Sequence, residues 1–197
     1  MDTQTLTSMP PATQDPELED LVDRGQHGDR EAVGELYDRH YLSIYRYVRA
    51  RVDGPERAED LTGEIFRRML TGLGQYRATS LSFRAWLFRI AHNVLVDDYR
   101  LASRGSRVEL PDGLPPPGNG GDPAPIVERR LAAEQAYAAL AAIEPSQRDV
   151  LVLRFLSGLS VRDVAATLDR TEDSVKALQR RGLAALRLSL ADESGVE

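Results

Sequence analysis

The 197-residue chain contains no cysteine, three histidines and, among 25 basic side chains, a single lysine, Lys176. The missing cysteines exclude disulfides, thiolate zinc sites and cysteine nucleophiles together. His27, His40 and His92 are dispersed, and no metal-ligand spacing joins them to one another. No apolar run approaches the ~18 residues a membrane span needs. A charged-then-apolar leader is also missing, so a cytoplasmic protein without direct membrane insertion is expected. There is no phosphate-cradling glycine loop and no nucleophile beside a base, and the adjacent Asp97 and Asp98 cannot face one substrate from a helix. The expectation is therefore a non-enzyme with no catalytic residues, no cofactor, no metal and no small-molecule substrate.

What is present is a globular composition, 42% hydrophobic and 28% charged. The charge is unevenly placed. Residues 1–38 hold ten carboxylates against Arg24 and Arg30, a formal −8, which leaves +2 for the remainder of a chain whose total is −6. Overall acidity therefore says little against a polyanionic partner, because local patches set the field that a phosphate backbone meets.

Periodicity predicts an all-α fold: two helical domains joined by a flexible Pro/Gly-rich linker, the C-terminal one a helix-turn-helix. The expected boundaries are a disordered N-terminus at 1–15, a helical domain at 16–103, a linker at 104–125, a second helical domain at 126–190 and a tail at 191–197. In the first domain a short helix from about Pro16 to Gln26 precedes three longer ones. Asp29 caps a helix with Val33, Leu36, Tyr37, His40, Ile44, Tyr47 and Val48 at spacings of three and four. Pro55 opens the next, with Leu61, Ile65, Phe66, Met69 and Leu73 on one face, and a third carries Phe83, Trp86, Leu87, Ile90, Val94 and Leu95. The linker "SRGSRVELPDGLPPPGNGGDPAP" lacks any sustained period.

In the second domain an alanine-rich helix at about 126–143 leads to one begun by Pro145 and running through "SQRDVLVLRFL", which Gly158 stops. "SVRD" from Ser160 forms a near capping box for a helix reaching about Leu168. "DRT" turns the chain, and Thr171 caps a last helix to about Leu190. Two helices joined by so short a turn form a helix-turn-helix, whose second helix enters the DNA major groove. If Val175, Leu178, Gly182, Ala185 and Leu186 face the core, then Glu172, Asp173, Lys176, Gln179 and Arg180 face outward. Taken alone, that face is equally a solvated helix surface.

Residues 139–187, "ALAAIEPSQRDVLVLRFLSGLSVRDVAATLDRTEDSVKALQRRGLAALR", resemble the C-terminal DNA-binding region of bacterial sigma factors of the extracytoplasmic-function (ECF) type. Within residues 31–104, "ELYDRHYLSIYRYVRARVDGPERAEDLTGEIFRRML" and "SFRAWLFRIAHNVLVDDYR" resemble the region of the same family that binds core RNA polymerase and melts the −10 element. The resemblance implies a protein that directs promoter-specific initiation, with core RNA polymerase, promoter DNA and an anti-sigma factor as partners. It implies contacts to the −35 duplex by Arg162, Thr171, Glu172, Ser174, Lys176, Gln179 and Arg180. For the −10 single strand it points to Tyr76, Arg77, Arg84, Arg89, Asn93 and Arg100, which supply the stacking faces and cations that hold unpaired bases. Asp60, Glu64 and Phe66 fall on the segment resembling the polymerase-docking helix.

The chain departs from the family pattern in three places, one of them Leu183, where many members carry a second basic residue. Leu178-Gln179 stands where many members carry Arg-Leu, and Thr62-Gly63 where relatives carry a bulkier pair. The glycine suggests either a close approach or a weaker dock. A free linker of about 22 residues spans roughly 25 Å, or roughly 70 Å if polyproline-like, while sites two helical turns apart lie about 70 Å from one another. The linker is thus expected to be held extended by the polymerase. A free-standing helix-turn-helix regulator with an N-terminal helical interaction domain is the alternative.

Overall fold

The computed structural model describes residues 15–78, 81–103 and 135–194, and every regular element among them is helical. Helix α1 (Pro16–Gln26) is capped by the Asp15 carboxylate, which accepts from the Leu18 amide at 3.3 Å. Asp29 caps α2 (Arg30–Arg49) by accepting from the amides of Glu31 and Ala32, and Pro55 supplies the first turn of α3 (Pro55–Leu73). The long α4 (Phe83–Ser103) completes a four-helix bundle in which α2 packs on α1 and α3, and α4 packs on α3. Leu36, Ile44, Tyr47, Ile65, Met69, Leu87 and Phe88 form its fully buried centre.

His40 lies inside this core, as its place in the apolar period predicts, with its ring 5.5 Å from that of Phe83. Burial pushes its pKa down to about 4, so the imidazole is neutral at ordinary pH. Asp97 and Asp98 diverge as expected. Asp98 is buried against Arg57, whereas Asp97 meets Arg68 at 3.1 Å on the surface.

The second module comprises α5 (helical over 135–141), α6 (Pro145–Leu151), a π-helical turn (Val152–Leu156), α7 (Val161–Thr167) and α8 (Glu172–Ser194). The expected continuous helix after Pro145 is thus interrupted. A wider hydrogen bond, Ser157 N–H to the Val152 carbonyl at 2.9 Å, accommodates one more residue in the last turn and leaves Phe155 and Leu156 on the surface. Gly158 then ends the segment at a φ of +66°, a left-handed conformation that glycine adopts without steric cost. Ser160 caps α7 with half of the expected box: its Oγ accepts from the Asp163 amide at 3.0 Å and donates to the Asp163 carboxylate at 2.7 Å. Asp169, at φ +53°, reverses the chain between α7 and α8, a left-handed conformation that aspartate tolerates.

Some bounds differ from the sequence expectation. Asp15 belongs to the cap of α1 rather than to the N-terminal segment, and α8 continues to Ser194, through residues expected to be tail. The expected disordered stretch up to residue 14, the linker at 104–125, the start of the alanine-rich helix and residues 195–197 lie outside the described residues.

Candidate nucleic-acid interface

Three apolar residues of α8 determine which of its sides is free. Val175 and Leu178 are buried, and Gly182 sits so close to α6 that a Cβ there would meet Leu151 at 3.1 Å and Gln147 at 3.2 Å. With this face against α6 and α7, Glu172, Asp173, Lys176 and Arg180 are exposed. The hydroxyl of Thr171 accepts from the Ser174 amide at 3.2 Å, which satisfies one of the free amides of the first turn. Lys176 Nζ lies 3.2 Å from the Asp173 carboxylate, an exposed pair that holds the ammonium only weakly. The ambiguity at Leu178-Gln179 resolves in favour of Leu178 as the packed residue. Gln179 is half-buried, and its Oε1 accepts from Arg154 Nε at 3.3 Å. Arg162 is exposed on α7.

The surface of α4 is narrower. Arg89, Asn93 and Arg100 fall at helical spacing and are all exposed, together with Asp97. Arg77, just before the helix, is exposed and donates to the carbonyls of Gly74 and Tyr76 at 3.0 and 2.8 Å. Two of the sequence candidates do not join this stripe. The Tyr76 ring is buried against Phe83 and Trp86, with its hydroxyl donating to the Leu81 carbonyl at 3.0 Å, so it presents no stacking face and supports the loop instead. Arg84 turns to the other side of α4 and donates to the Ser157 carbonyl of the second module, where burial lowers its pKa. Trp86 is partly buried, its ring edge over Gly72. Tyr99, which the sequence reading passed over, is 74% exposed near the end of α4. Its only sequence signal is an aromatic falling outside the named apolar stripe.

The docking face of α3 also separates. Phe66 is a correction: it is 3% exposed, its ring 4.5 Å from that of Tyr37, and it cannot reach a partner without unpacking the bundle. Asp60 is exposed. Glu64 is clamped by Arg67 at 2.6 Å and Arg68 at 2.7 Å, and these charge-assisted bonds pull its carboxyl down to about 2. Gly63 is exposed with open space around it, so it marks no close approach within the chain. Thr62 is buried, and its hydroxyl donates to the Ala58 carbonyl at 2.6 Å. Among the described residues no group of three His, Asp or Glu side chains is placed to hold a metal ion, and no helix is long and apolar enough to cross a membrane.

The candidate interface thus comprises the outward face of the second helix of a helix-turn-helix and a polar stripe on a bundle helix, carried by one chain. Residues 36–105 match the Sigma-70 region 2 family, and residues 139–188 match the Sigma-70, region 4 family. The chain is 35% identical over 177 residues to the ECF RNA polymerase sigma factor BldN of Streptomyces coelicolor, an alignment covering 89% of this chain and 66% of BldN. It is 30% identical over 189 residues to the ECF RNA polymerase sigma factor SigD of Mycobacterium tuberculosis, covering 93% of this chain and 89% of SigD. In fold it is similar to CnrH, solved in complex with the cytosolic domain of CnrY, with a TM-score of 0.69 and 24% identity over 90% of this chain and 99% of that one. With two regions matched in order and SigD aligned over nearly its whole length, the chain belongs to the ECF RNA polymerase sigma factors.

Proposed function

We propose that this chain acts in the cytoplasm, binds core RNA polymerase and directs it to promoters, reading a −35 duplex element with α8 and assisting −10 melting with α4. The observation that carries this reading is the pairing of two unlike nucleic-acid surfaces in one chain. Lys176 and Arg180 stand on the open side of a buried, capped recognition helix. Arg89, Asn93 and Arg100 stand on the open side of a helix too embedded in its bundle to enter a groove. A groove reader and a single-strand reader together suit the opening of DNA at a fixed distance from a duplex landmark.

In this reading Lys176, Gln179 and Arg180 meet base edges or phosphates, with Arg162, Thr171, Glu172 and Ser174 around them. Arg77, Arg89, Asn93 and Arg100 follow the displaced strand, Tyr99 offers the exposed ring that Tyr76 does not, and Arg84 joins them once released from Ser157. Asp60 is the principal contact to a basic polymerase surface, and Glu64 acts mainly by ordering Arg67 and Arg68. The chain contributes no bond-making step of its own. A regulatory protein partner accords with the family and with CnrH, which was solved bound to a protein. The bounds 16–103 and 126–190 serve as working limits of the two modules.

Transcription in vitro with purified core polymerase on candidate promoters tests the reading directly. Polymerase-dependent, promoter-specific transcripts are expected, and none on any promoter would defeat it. Lys176→Ala with Arg180→Ala should weaken −35-dependent binding by about 2–4 kcal/mol and lower the salt slope by about two, leaving polymerase affinity intact. Asp60→Lys with Glu64→Lys should reverse that pattern. A free-standing regulator would instead bind its promoters without polymerase and be indifferent to the α3 substitutions.

A further inference from the structure

Where the bend between α2 and α3 faces α5 and α6, the chain forms an open cavity of about 220 Å³. Three guanidinium groups line it, those of Arg49 and Arg51 around the end of α2 and that of Arg148 on α6. Each is held in place by the chain itself. Arg49 Nη1 donates to the Val52 carbonyl at 3.2 Å, and its guanidinium lies 5.1 Å from the centre of the Tyr137 ring. Arg51 stacks 3.7 Å over the Tyr47 ring and donates to the Tyr47 carbonyl at 3.0 Å and to Asp149 at 2.8 Å. Arg148 Nη2 donates to the carbonyls of Ala141 and Ile143 at 2.8 and 3.3 Å. The three forks are thus ordered before any ligand arrives, which lowers the entropy that binding must overcome.

Two of their nitrogens can still take an acceptor. Arg148 Nε and Arg51 Nη2 are both buried and neither makes a hydrogen bond, although Arg51 Nη2 lies 2.5 Å from the Asp149 carboxylate. The Arg51 side chain is only 9% exposed, and a buried charged donor without an acceptor is costly. The balance of charge has the matching sign. Against the three guanidinium groups stand Asp149, already engaged by Arg51, and Asp53, which is exposed and screened by solvent. Burial, and after it the neighbouring charge of Arg51, push the pKa of Arg148 down, so an anion beside it would be welcome. The positive end of α3 contributes too. Its cap, Gly54, lines the cavity and offers no side chain to the amides of the first turn, and the acidic Glu56 of that turn does not line it.

Size narrows the ligand. The cavity is smaller than the roughly 300–1,000 Å³ of pockets that take drug-sized organic molecules, so it suits a compact anion. Planar arginine forks match phosphate oxygens two at a time, and a diphosphate has oxygens enough for three forks. We infer that Arg49, Arg51 and Arg148, with the N-terminus of α3, form a binding site for a diphosphate group, either free or at the end of a nucleoside. The site lies away from the exposed faces of α4 and α8, and it needs neither promoter nor polymerase, so its test does not depend on the sigma-factor reading.

Calorimetric titration of the full chain at fixed ionic strength, with inorganic pyrophosphate and separately with ADP, tests the inference. Millimolar ligand keeps the general stabilising effect of phosphate salts small. Saturable binding of one anion per chain is expected. Pyrophosphate binding as well as or better than ADP assigns the site to the free anion, and tighter binding of ADP assigns it to a diphosphate carried by a nucleoside. Arg148→Gln and Arg49→Gln should each weaken binding about tenfold, the loss of one charge-assisted contact. Arg49→Gln leaves the Arg51–Asp149 pair and both bonds of Arg148 in place, so it decides the matter even if Arg148→Gln fails to fold. Arg46→Gln, at an exposed position of the same helix, should bind as the unmodified chain does. Absence of saturable binding of either anion overturns the site. An equal loss in Arg46→Gln also overturns it, because attraction would then come from diffuse surface charge. So does a fall in duplex affinity in Arg148→Gln without any binding of pyrophosphate or ADP, which would give these arginines to a DNA backbone.

Discussion

Helices α4 and α8 are of similar length, 21 and 23 residues, yet they meet their surroundings in opposite ways. The first turns of α8 are anchored along one line, Val175, Leu178 and Gly182, and the opposite side stands clear. Phe83, Ala85, Leu87, Phe88, Ala91, Val94 and Leu95 of α4 are all buried, and the exposed positions are Arg89, Asn93 and Asp97 along one side and Tyr99, Arg100 and Leu101 near its end. A helix anchored on one line can enter a groove ~12 Å wide. One enclosed on most of its circumference can only offer a strip along which an unpaired strand is laid. The contrast separates the two surfaces proposed above, one on each module.

The largest effect should come from the anchoring line of α8. Leu178→Ala removes a buried side chain and should destabilise the second module by about 3 kcal/mol. Gln179→Ala removes one partly exposed hydrogen bond to Arg154 and should cost less than about 1 kcal/mol of stability. Urea unfolding followed by circular dichroism distinguishes the two. Equal losses would mean that Gln179 shares the core, and α8 would then lose the one-sided character that separates it from α4.

Acid should reach α4 before α8. His40 packs against Phe83 at the start of α4, while the anchors of α8 carry no ionisable group. The pKa of His40 is lowered from 6.5 to about 4 in the folded chain. Between those values the unfolded chain binds a proton that the native chain refuses, so stability is full above about pH 6.5 and declines as pH falls toward 4. The limiting loss is about 3 kcal/mol. In His40→Leu this share of the acid sensitivity should vanish. The buried Nε2 has no hydrogen-bond partner to lose, so stability at neutral pH should not suffer in proportion. Fluorescence of the single tryptophan, which lies in α4, reports the first module selectively. Identical acid profiles for the two proteins would remove His40 from the account.

Much of this contrast can be read before folding. Caps at Asp29, Ser160 and Thr171, prolines at 55 and 145 and the stop at Gly158 are local signals, each satisfied within a few residues, and they place the helices. The apolar periods then locate the core, His40 included. Residues that serve two neighbours at once are harder to read. Phe66 already falls on the apolar face of its helix, so its period points to the core against its role as a contact, whereas for Tyr76, in a loop without a period, only the packing of Phe83 and Trp86 reveals that it is walled in. Glu64 carries a charge in any reading, but its two arginine clamps depend on rotamers. The contact of Arg51 with Asp149 between the two modules is not legible in the sequence, because the two residues are 98 positions apart and no local period links them. Nor does the π-helical turn that presents Ser157 to Arg84 follow from an apolar run whose hydrophobicity suits either helix type.

The smallest effects concern the stripe of α4 itself. Arg89→Ala with Asn93→Ala removes two exposed side chains that nothing in the bundle requires, so stability should change by less than about 0.5 kcal/mol. If the stripe carries the displaced strand, promoter opening probed by permanganate should fall about tenfold while binding to −35 duplex stays unchanged, a loss of about 1–2 kcal/mol shared between one charge and one amide. Tyr76→Phe is the matching control. It keeps the ring that fills the space beside Phe83 and Trp86 and removes only the bond to the Leu81 carbonyl, so it should cost about 1 kcal/mol of stability and leave opening intact. If Tyr76→Phe impaired opening while the stripe variant did not, the loop before α4 would be the reader and the helix merely its support.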